Sequence, residues 1–600
     1  MKKFTFIAVL ILFAIAGRTF MSCTRQNTVP EKAIAQTLLL QIDSFSIAKN
    51  KLLQEVQKDT PNEKRLQSLF LQTRLTYKRF EWAAEYFSPA VSRFVNGAPV
   101  QEIDMTSGQV AEPAGLQVIE GYLFPVYQHD KKKELIQQLQ LLQTNSESYK
   151  SHFANIDLFT WQIFDAAKQE VFRILSLGIT GFDNPLTLKS AQESAASLKS
   201  LKTVLSYYED TTGDENLPAM FDAASHYLNS HNDFNTFNRA HFILKYANPI
   251  TTSITILGQK LKFPVTRYNR LLNQDAKTLF DKNAFNANAY LPDDSSMLTN
   301  AKVTLGKVLF SDPLLSGNGK RSCQTCHQPE KAFTDGMVKN TVIGGNKPIK
   351  RNTPTLINAA LQPAQFYDLR VFTLEDQALH VVQNKEEMHG SMKLVANRLW
   401  ENKKYRDLFT TAFPKKSRTS IDTLEVMNAL GSYVRSLVYL NSRFDKYMQG
   451  DQKAMNQEEL KGFNLFMGKA KCATCHYMPL FNGSFPPRYM IAESEVIGVP
   501  KTIAQKGIDD DMGRYEVLKT PSFKHAFKIT TVRNTARTAP YMHNGVFKTL
   551  AQVMDFYNSG GGAGIGFKVN NQTLAADQLH LTEKEKTEII AFIKSLDSQL

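Results

Sequence analysis

The chain has 600 residues, is 42% apolar and 21% charged, and carries a formal net charge of +14. That length is too great for one hydrophobic core, so roughly two to four domains are expected, and the composition excludes a collagen-like or mainly disordered chain. Lysine and arginine are spread along the sequence without a basic arm, which reads as a solvated surface and gives no sign of nucleic-acid binding.

Lys2 and Lys3 precede an apolar run from Phe4 to Ala16 that is too short for a comfortable membrane span, and Phe20-Met21-Ser22-Cys23 follows. This pattern reads as an export signal over residues 1–22. A small residue directly before Cys is what a lipoprotein signal peptidase requires, so Cys23 is expected to carry lipid. Phe20 stands where Leu is usual, and a plain secretory signal or an uncleaved anchor is the other reading. The expected location is the periplasm or cell envelope, with membrane contact only through the lipid anchor.

Residues 31–272 read as a helical bundle. Leu66, Leu69, Phe70, Thr73, Tyr77, Phe80, Ala84 and Phe87 recur at three- and four-residue steps. Leu135, Leu139 and Leu142 make a second stripe, and Trp161, Phe164, Ala167, Val171 and Ile174 a third. Such stripes are core. Residues 273–300, rich in Asn, Asp and Ser, read as a linker. Beyond it, two cytochrome c-like domains are expected over 301–445 and 446–600. A helix signal spans Ser420 to Tyr439. Asn456 with Glu459 and Thr582 with Glu585 read as capping pairs, the latter starting a final helix that buries Ile589, Ile590, Phe592, Ile593 and Leu596.

Of five cysteines, Cys23 is accounted for by export. The others form Cys323-Gln324-Thr325-Cys326-His327 and Cys472-Ala473-Thr474-Cys475-His476, each the attachment pattern for haem c. Two intervening residues let both sulfurs reach the vinyl groups of one porphyrin, and the following His ligates the iron. Disulfides would not require that His. Zinc would leave both sites without a fourth ligand.

Around these sites the sequence resembles the bacterial dihaem cytochrome c peroxidases and the related MauG-type enzymes over about 302–600. The resemblance rests on Leu309-Phe310, Asp312, Ala332-Phe333-Thr334-Asp335-Gly336, Arg351-Asn352-Thr353-Pro354-Thr355 and Gln365-Phe366-Tyr367-Asp368. Val532-Arg533-Asn534 and Ala539-Pro540-Tyr541-Met542-His543-Asn544-Gly545 extend it. It implies a peroxidatic haem at His327 and an electron-transfer haem at His476. It also implies an acid–base role for Glu387, sixty residues after His327, with Gln377 a second distal position. Tyr367 stands where many relatives place a bridging Trp. A calcium ion is implied at the side chain of Asn352 and the carbonyls of Thr538 and Pro540. The partners implied are hydrogen peroxide and a small periplasmic donor, a c-type cytochrome or cupredoxin, and relatives often form homodimers.

The sequence departs from that pattern twice. The loop Ile343-Gly344-Gly345-Asn346-Lys347-Pro348 lacks the His that blocks the first iron in many peroxidases, so that site is expected to be open without reductive activation. Fourteen residues after His543, where the peroxidases have Met as far ligand of the second haem, stands Tyr557, as in MauG-type enzymes. Met554 and Met542 are alternative ligands. In the amino-terminal half, Trp82-Ala83-Ala84-Glu85-Tyr86-Phe87 and Gly115-Leu116-Gln117-Val118-Ile119-Glu120 resemble imelysin-like helical domains, with Gln117 replacing a His and Glu120 read as structural or as a metal ligand. The expectation is a mainly α protein, a helical bundle followed by two cytochrome c-like haem domains. It would act as a peroxidase, with a MauG-like oxidase or a dihaem electron carrier as alternatives.

Overall fold

The computed structural model describes residues 29–103, 110–209, 216–266, 270–415, 417–504 and 507–600; the export segment and Cys23 lie outside them. The described chain is mainly helical, with two antiparallel two-stranded pairs.

The amino-terminal bundle contains α1 (Pro30–Gln57), α2 (Glu63–Lys78), α3 (Glu81–Phe87), α4 (Pro89–Asn96), α5 (Leu116–Leu123), α6 (Lys132–Asn155), α7 (Thr160–Ser176), α8 (Ser190–Ser206) and α9 (Asn216–Ser230). Ile34, Leu38, Ile42, Phe45, Leu52 and Val56 give α1 a fully buried face at helical spacing. The stripe from Leu66 to Phe87 is one face in sequence but two helices in space. Lys78 turns inward at the end of α2, its Nζ donating to Glu81 at 2.7 Å and Asp183 at 2.6 Å, and Phe80 occupies the N-cap of α3. A short α10 (Arg239–Phe242) passes through a π turn, Ile243–Ala247, into α11 (Asn248–Lys260).

Residues 273–300 are irregular apart from the turn Asp294–Ser296, and they are packed. Phe280 lies edge-on to Phe444 at 5.8 Å and Phe285 to Tyr489 at 5.6 Å. The polar residues serve the backbone: Asp281 accepts from the Lys277 N–H, and Asn273 donates to the Asn283 carbonyl.

The first haem half comprises α12 (Asn300–Ser311), α13 (Leu374–Gln383), α14 (Met392–Glu401), α15 (Lys403–Ala412) and α16 (Thr423–Arg435) around a core running from Leu305 to Leu437. The second comprises α17 (Arg443–Met448), α18 (Gln457–Met467), α19 (Tyr515–Leu518), α20 (Leu550–Asn558), α21 (Gly561–Gly564) and α22 (Glu583–Ser595). Both capping pairs form as reciprocal boxes at the starts of α18 and α22. In each half two helices cross at a glycine, α12 with α16 in the first and α18 with α22 in the second. A Cβ on Gly306 would lie 1.9 Å from the Ala429 carbonyl oxygen, and one on Gly462 would lie 1.9 Å from that of Glu588, so no larger residue fits. Four residues on, Phe310 and Phe466 each place a ring 6.5 Å from the attachment-turn His of their own half. The two halves differ in their company. Phe444, Phe463, Phe466 and Phe592 of the second share one continuous core with Phe45, Leu175, Ile243 and Ile250 of the bundle.

Candidate functional site

The attachment motifs form matching 310 turns, Cys323–Thr325 and Cys472–Thr474. The backbone N–H of His327 donates to the Cys323 carbonyl at 3.0 Å, and that of His476 to the Cys472 carbonyl at 2.9 Å. All four cysteines are unpaired thiols. His327 Nδ1 lies 3.0 Å from the Phe333 carbonyl and His476 Nδ1 3.1 Å from the Thr530 carbonyl. A carbonyl can only accept, so each Nδ1 carries the proton and Nε2 keeps its lone pair for a metal. Burial holds both imidazoles below their ordinary pKa, His476 at about 4, so both are neutral.

Each turn opens onto its own cavity, of about 400 Å³ at the first and about 530 Å³ at the second. Phe310, Leu374 and Val434 help line one, and Phe466, Leu579 and Ile593 the other. An apolar slot with two free thiols and a neutral imidazole at its edge fits haem c at both sites. Among the described residues no group of three or more His, Cys, Asp or Glu is arranged to hold a metal.

Glu387 and Gln377 both line the first cavity. Glu387 Oε1 accepts from Asn384 Nδ2 at 2.8 Å. Burial pushes its carboxyl above the ordinary range, against the opposing charge of Arg370 and the Asn384 hydrogen bond. The Arg321 guanidinium fixes this segment, donating to the carbonyls of Glu387 at 3.0 Å and Thr341 at 2.9 Å. Residues 344–348 are exposed and contribute nothing to the cavity wall. His327 is the single histidine lining this cavity among the described residues; His380 and His389 are exposed and outside it.

Tyr557, Met554 and Met542 all line the second cavity. Burial raises the Tyr557 phenol well above its ordinary pKa, with the nearby Cys475, Cys472 and Glu495 adding to the rise. Met554, one turn earlier on α20, packs in the core, and Met542 reaches both cavities. His543 is committed elsewhere: its ring stacks on Phe527 at 3.6 Å and its Nε2 lies 3.2 Å from Asp509.

Tyr367 lines both cavities, its carbonyl accepting from the Lys528 N–H at 2.7 Å. Burial raises its phenol as well. Lys528, which sequence reasoning passed over, also faces both; burial lowers its amine to about 8, and Nζ reaches the Ala364 carbonyl at 3.3 Å. Its place beside Val532-Arg533-Asn534 was the available signal. Asn352, Thr538 and Pro540 line the first cavity together, the Asn352 amide nitrogen donating to the Met337 carbonyl at 2.8 Å. The flanking motifs join the halves. Arg351 pairs with Asp511 at 2.7 Å and Asp368 at 2.6 Å, and the Asn352 N–H donates to the His543 carbonyl at 2.7 Å.

The bundle roofs the second site. Asn96, Gln117, Phe182 and Phe234 line its cavity, and Phe182 lies 6.1 Å from Tyr477 and 5.6 Å from Phe485. Gln117 Nε2 donates to the Asn96 carbonyl at 3.0 Å, and Glu120 Oε1 accepts from the N–H and hydroxyl of Thr187 at 2.9 and 2.6 Å. No single-sequence pattern signals contacts made across hundreds of residues.

Together these features define a c-type cytochrome with two attachment sites in one chain. The family described as di-haem cytochrome c peroxidase matches residues 300–453. The chain is 34% identical over 303 residues to methylamine utilization protein MauG of Methylorubrum extorquens, covering 50% of this chain and 80% of that protein. It is 32% identical over 314 residues to cytochrome c551 peroxidase of Nitrosomonas europaea, covering 51% and 82%. A solved MauG-like protein associated with microbial copper homeostasis superimposes with a TM-score of 0.44 at 27% identity, covering 52% of this chain and 94% of the other. The chain belongs to the dihaem cytochrome c peroxidase family, oxidoreductases with two c-type haems.

Proposed function

We propose that this protein reduces hydrogen peroxide to water at the site of His327, Glu387 and Gln377, using electrons that a small periplasmic redox protein, a c-type cytochrome or cupredoxin, delivers through the site of Cys472, Cys475 and His476. The observation that carries this reading is the first cavity itself, which combines a buried carboxyl with one lining histidine. Haem bound at Cys323, Cys326 and His327 supplies the iron at which the O–O bond is reduced.

The chain's own residues manage protons and position. Glu387 accepts the proton of the incoming peroxide oxygen and returns it to the departing one, so that one peroxide, two electrons and two protons become two waters. Asn384 aims the carboxylate, Arg321 holds its backbone, and Gln377 offers a second polar contact. Tyr367 supplies an oxidisable ring between the two sites. Asn352, Thr538 and Pro540 offer oxygen ligands suited to calcium. Export with a lipid on Cys23 would place the protein in the cell envelope.

Tyr557 facing the second cavity favours one further reading, a MauG-like oxidase that uses peroxide to modify a protein or small molecule. The haem-loaded protein should turn peroxide over repeatedly only when a reduced c-type cytochrome is supplied. Consumption without a donor supports the oxidase, and no consumption under either condition leaves an electron carrier.

A further inference from the structure

Arg74, Arg239, Arg435 and Arg533 are among the largest fully buried side chains. Three of them meet a carboxylate: Arg74 with Glu193 at 2.5 Å, Arg435 with Glu375 at 2.9 Å and Arg533 with Asp445 at 2.7 Å. Arg239 meets none among the described residues. Its Nε donates to the Ile179 carbonyl at 2.9 Å, Nη1 to Phe237 at 3.2 Å and Nη2 to Phe234 at 2.9 Å. The rings of Phe234 and Phe237 lie 4.6 and 5.7 Å from its Cζ. Burial brings its pKa down to about 9, so the guanidinium stays charged at neutral pH.

A buried cation without a counter-ion is costly, and a neutral amide would serve bundle carbonyls without that cost. Its position gives the charge a use. A Cβ on Gly468 would lie 2.6 Å from Nη1 and 2.7 Å from Cζ, so the guanidinium rests against the backbone at the end of α18. From there the chain runs through Ala470 and Lys471, both lining the second cavity, to Cys472; Phe234 lines the same cavity. The Arg239 backbone N–H is held by Asn464 Oδ1 of α18 at 2.8 Å.

We propose that Arg239, supplied by the amino-terminal bundle, is a positioning residue for charge that raises the reduction potential of the haem attached at Cys472 and Cys475. Reduction adds one electron and so one negative charge to that site, and a fixed cation in a low-dielectric interior stabilises the reduced form. The inference rests on the reading of the second turn as a haem site, and makes it the better acceptor for the donor's electron.

The test is a spectroelectrochemical titration of both haems in the full-length, haem-loaded protein. In Arg239→Gln the equilibrium constant for reducing the second haem falls about tenfold, which is 59 mV for one electron, while the first haem is unmoved. Arg239→Lys keeps the charge without the three-carbonyl grip and stays near wild type. Asn464→Asp, which puts a carboxylate where the amide oxygen accepts from the Arg239 backbone N–H, adds a negative charge to the same segment, lowers the same potential and serves where the Gln variant loses its fold. Equal shifts in the Gln and Lys variants, or an unmoved potential in the Gln and Asp variants, overturn the proposal. A wild-type protein with no haem at Cys472 would instead overturn the reading of that turn.

Discussion

Cys323–Thr325 and Cys472–Thr474 fold into the same turn, yet one lies at the surface and the other beneath a second domain. Gln324 and Thr325 are exposed, whereas Ala473 is buried and Phe182 packs over the neighbouring Tyr477. The first haem half keeps a core of its own, while the second shares one with the bundle. A short motif therefore fixes how the cofactor is attached, and distant packing decides what can reach it. The first cavity is walled by the haem-bearing half alone, whereas Asn96, Gln117, Phe182 and Phe234 of the bundle help wall the second.

The contrast can be broken most severely at Glu387. Glu387→Gln should lower peroxide turnover about 10²- to 10⁴-fold with both haems still bound, measured in steady-state assays. In wild type, burial moves the acid limb of the pH–rate profile above the ordinary carboxylate range, so activity rises with pH through that raised pKa. The Gln variant should lack that limb.

Tyr557→Phe tests the second side. It should alter the ferric absorption of the second haem and leave the first unchanged. An unaltered spectrum would assign the ligand to Met554 or Met542.

Opening the roof sharpens the comparison further. Phe182→Ala should cost about 3 kcal/mol of stability and let exogenous imidazole reach the second haem, with no change at the first. Equal access before and after would mean that the roof shields nothing.

The smallest expected effect is a pH slope. Glu85, at the bundle wall of the second cavity, is held by burial at about 7, its largest opposing influence being Arg173. Around it stand Tyr77 of α2, whose hydroxyl donates at 3.4 Å, Lys78 of α2, Glu81 of α3, Tyr149 of α6, Arg173 of α7 and the loop residue Asp183. Between its unfolded value of 4.5 and about 7 the folded protein holds one proton more than the unfolded chain. Stability from this group is thus present at low pH and lost as pH rises, at about 1.4 kcal/mol per unit within that window. Thermal melts of Glu85→Gln should show a slope flatter by about that amount.

Much of the haem-bearing half was legible in the sequence because its chemistry is local. The attachment spacing, the capping pairs at Asn456 and Thr582, and the final amphipathic helix each depend on neighbours a few residues apart. Gly306 with Phe310 and Gly462 with Phe466 repeat one spacing, though only the crossing helices reveal why glycine is required. The site's surroundings were not legible. Lys528 looks like a surface lysine until both cavities are seen to share it, and Arg239 looks like any helix arginine until its carboxylate partner proves missing. The Asn- and Asp-rich stretch after residue 272 reads as a linker, and Phe280 and Phe285 pack it against Phe444 and Tyr489.

The most direct test of a first site without a blocking histidine and a second with Tyr557, Met554 and Met542 at hand is the electron paramagnetic resonance and absorption spectrum of the oxidised, haem-loaded protein, before and after peroxide. One high-spin haem that reacts at once and one low-spin haem that does not bind added ligand are expected. Two low-spin haems, unreactive until partly reduced, would contradict this and mean that another side chain closes the iron above His327.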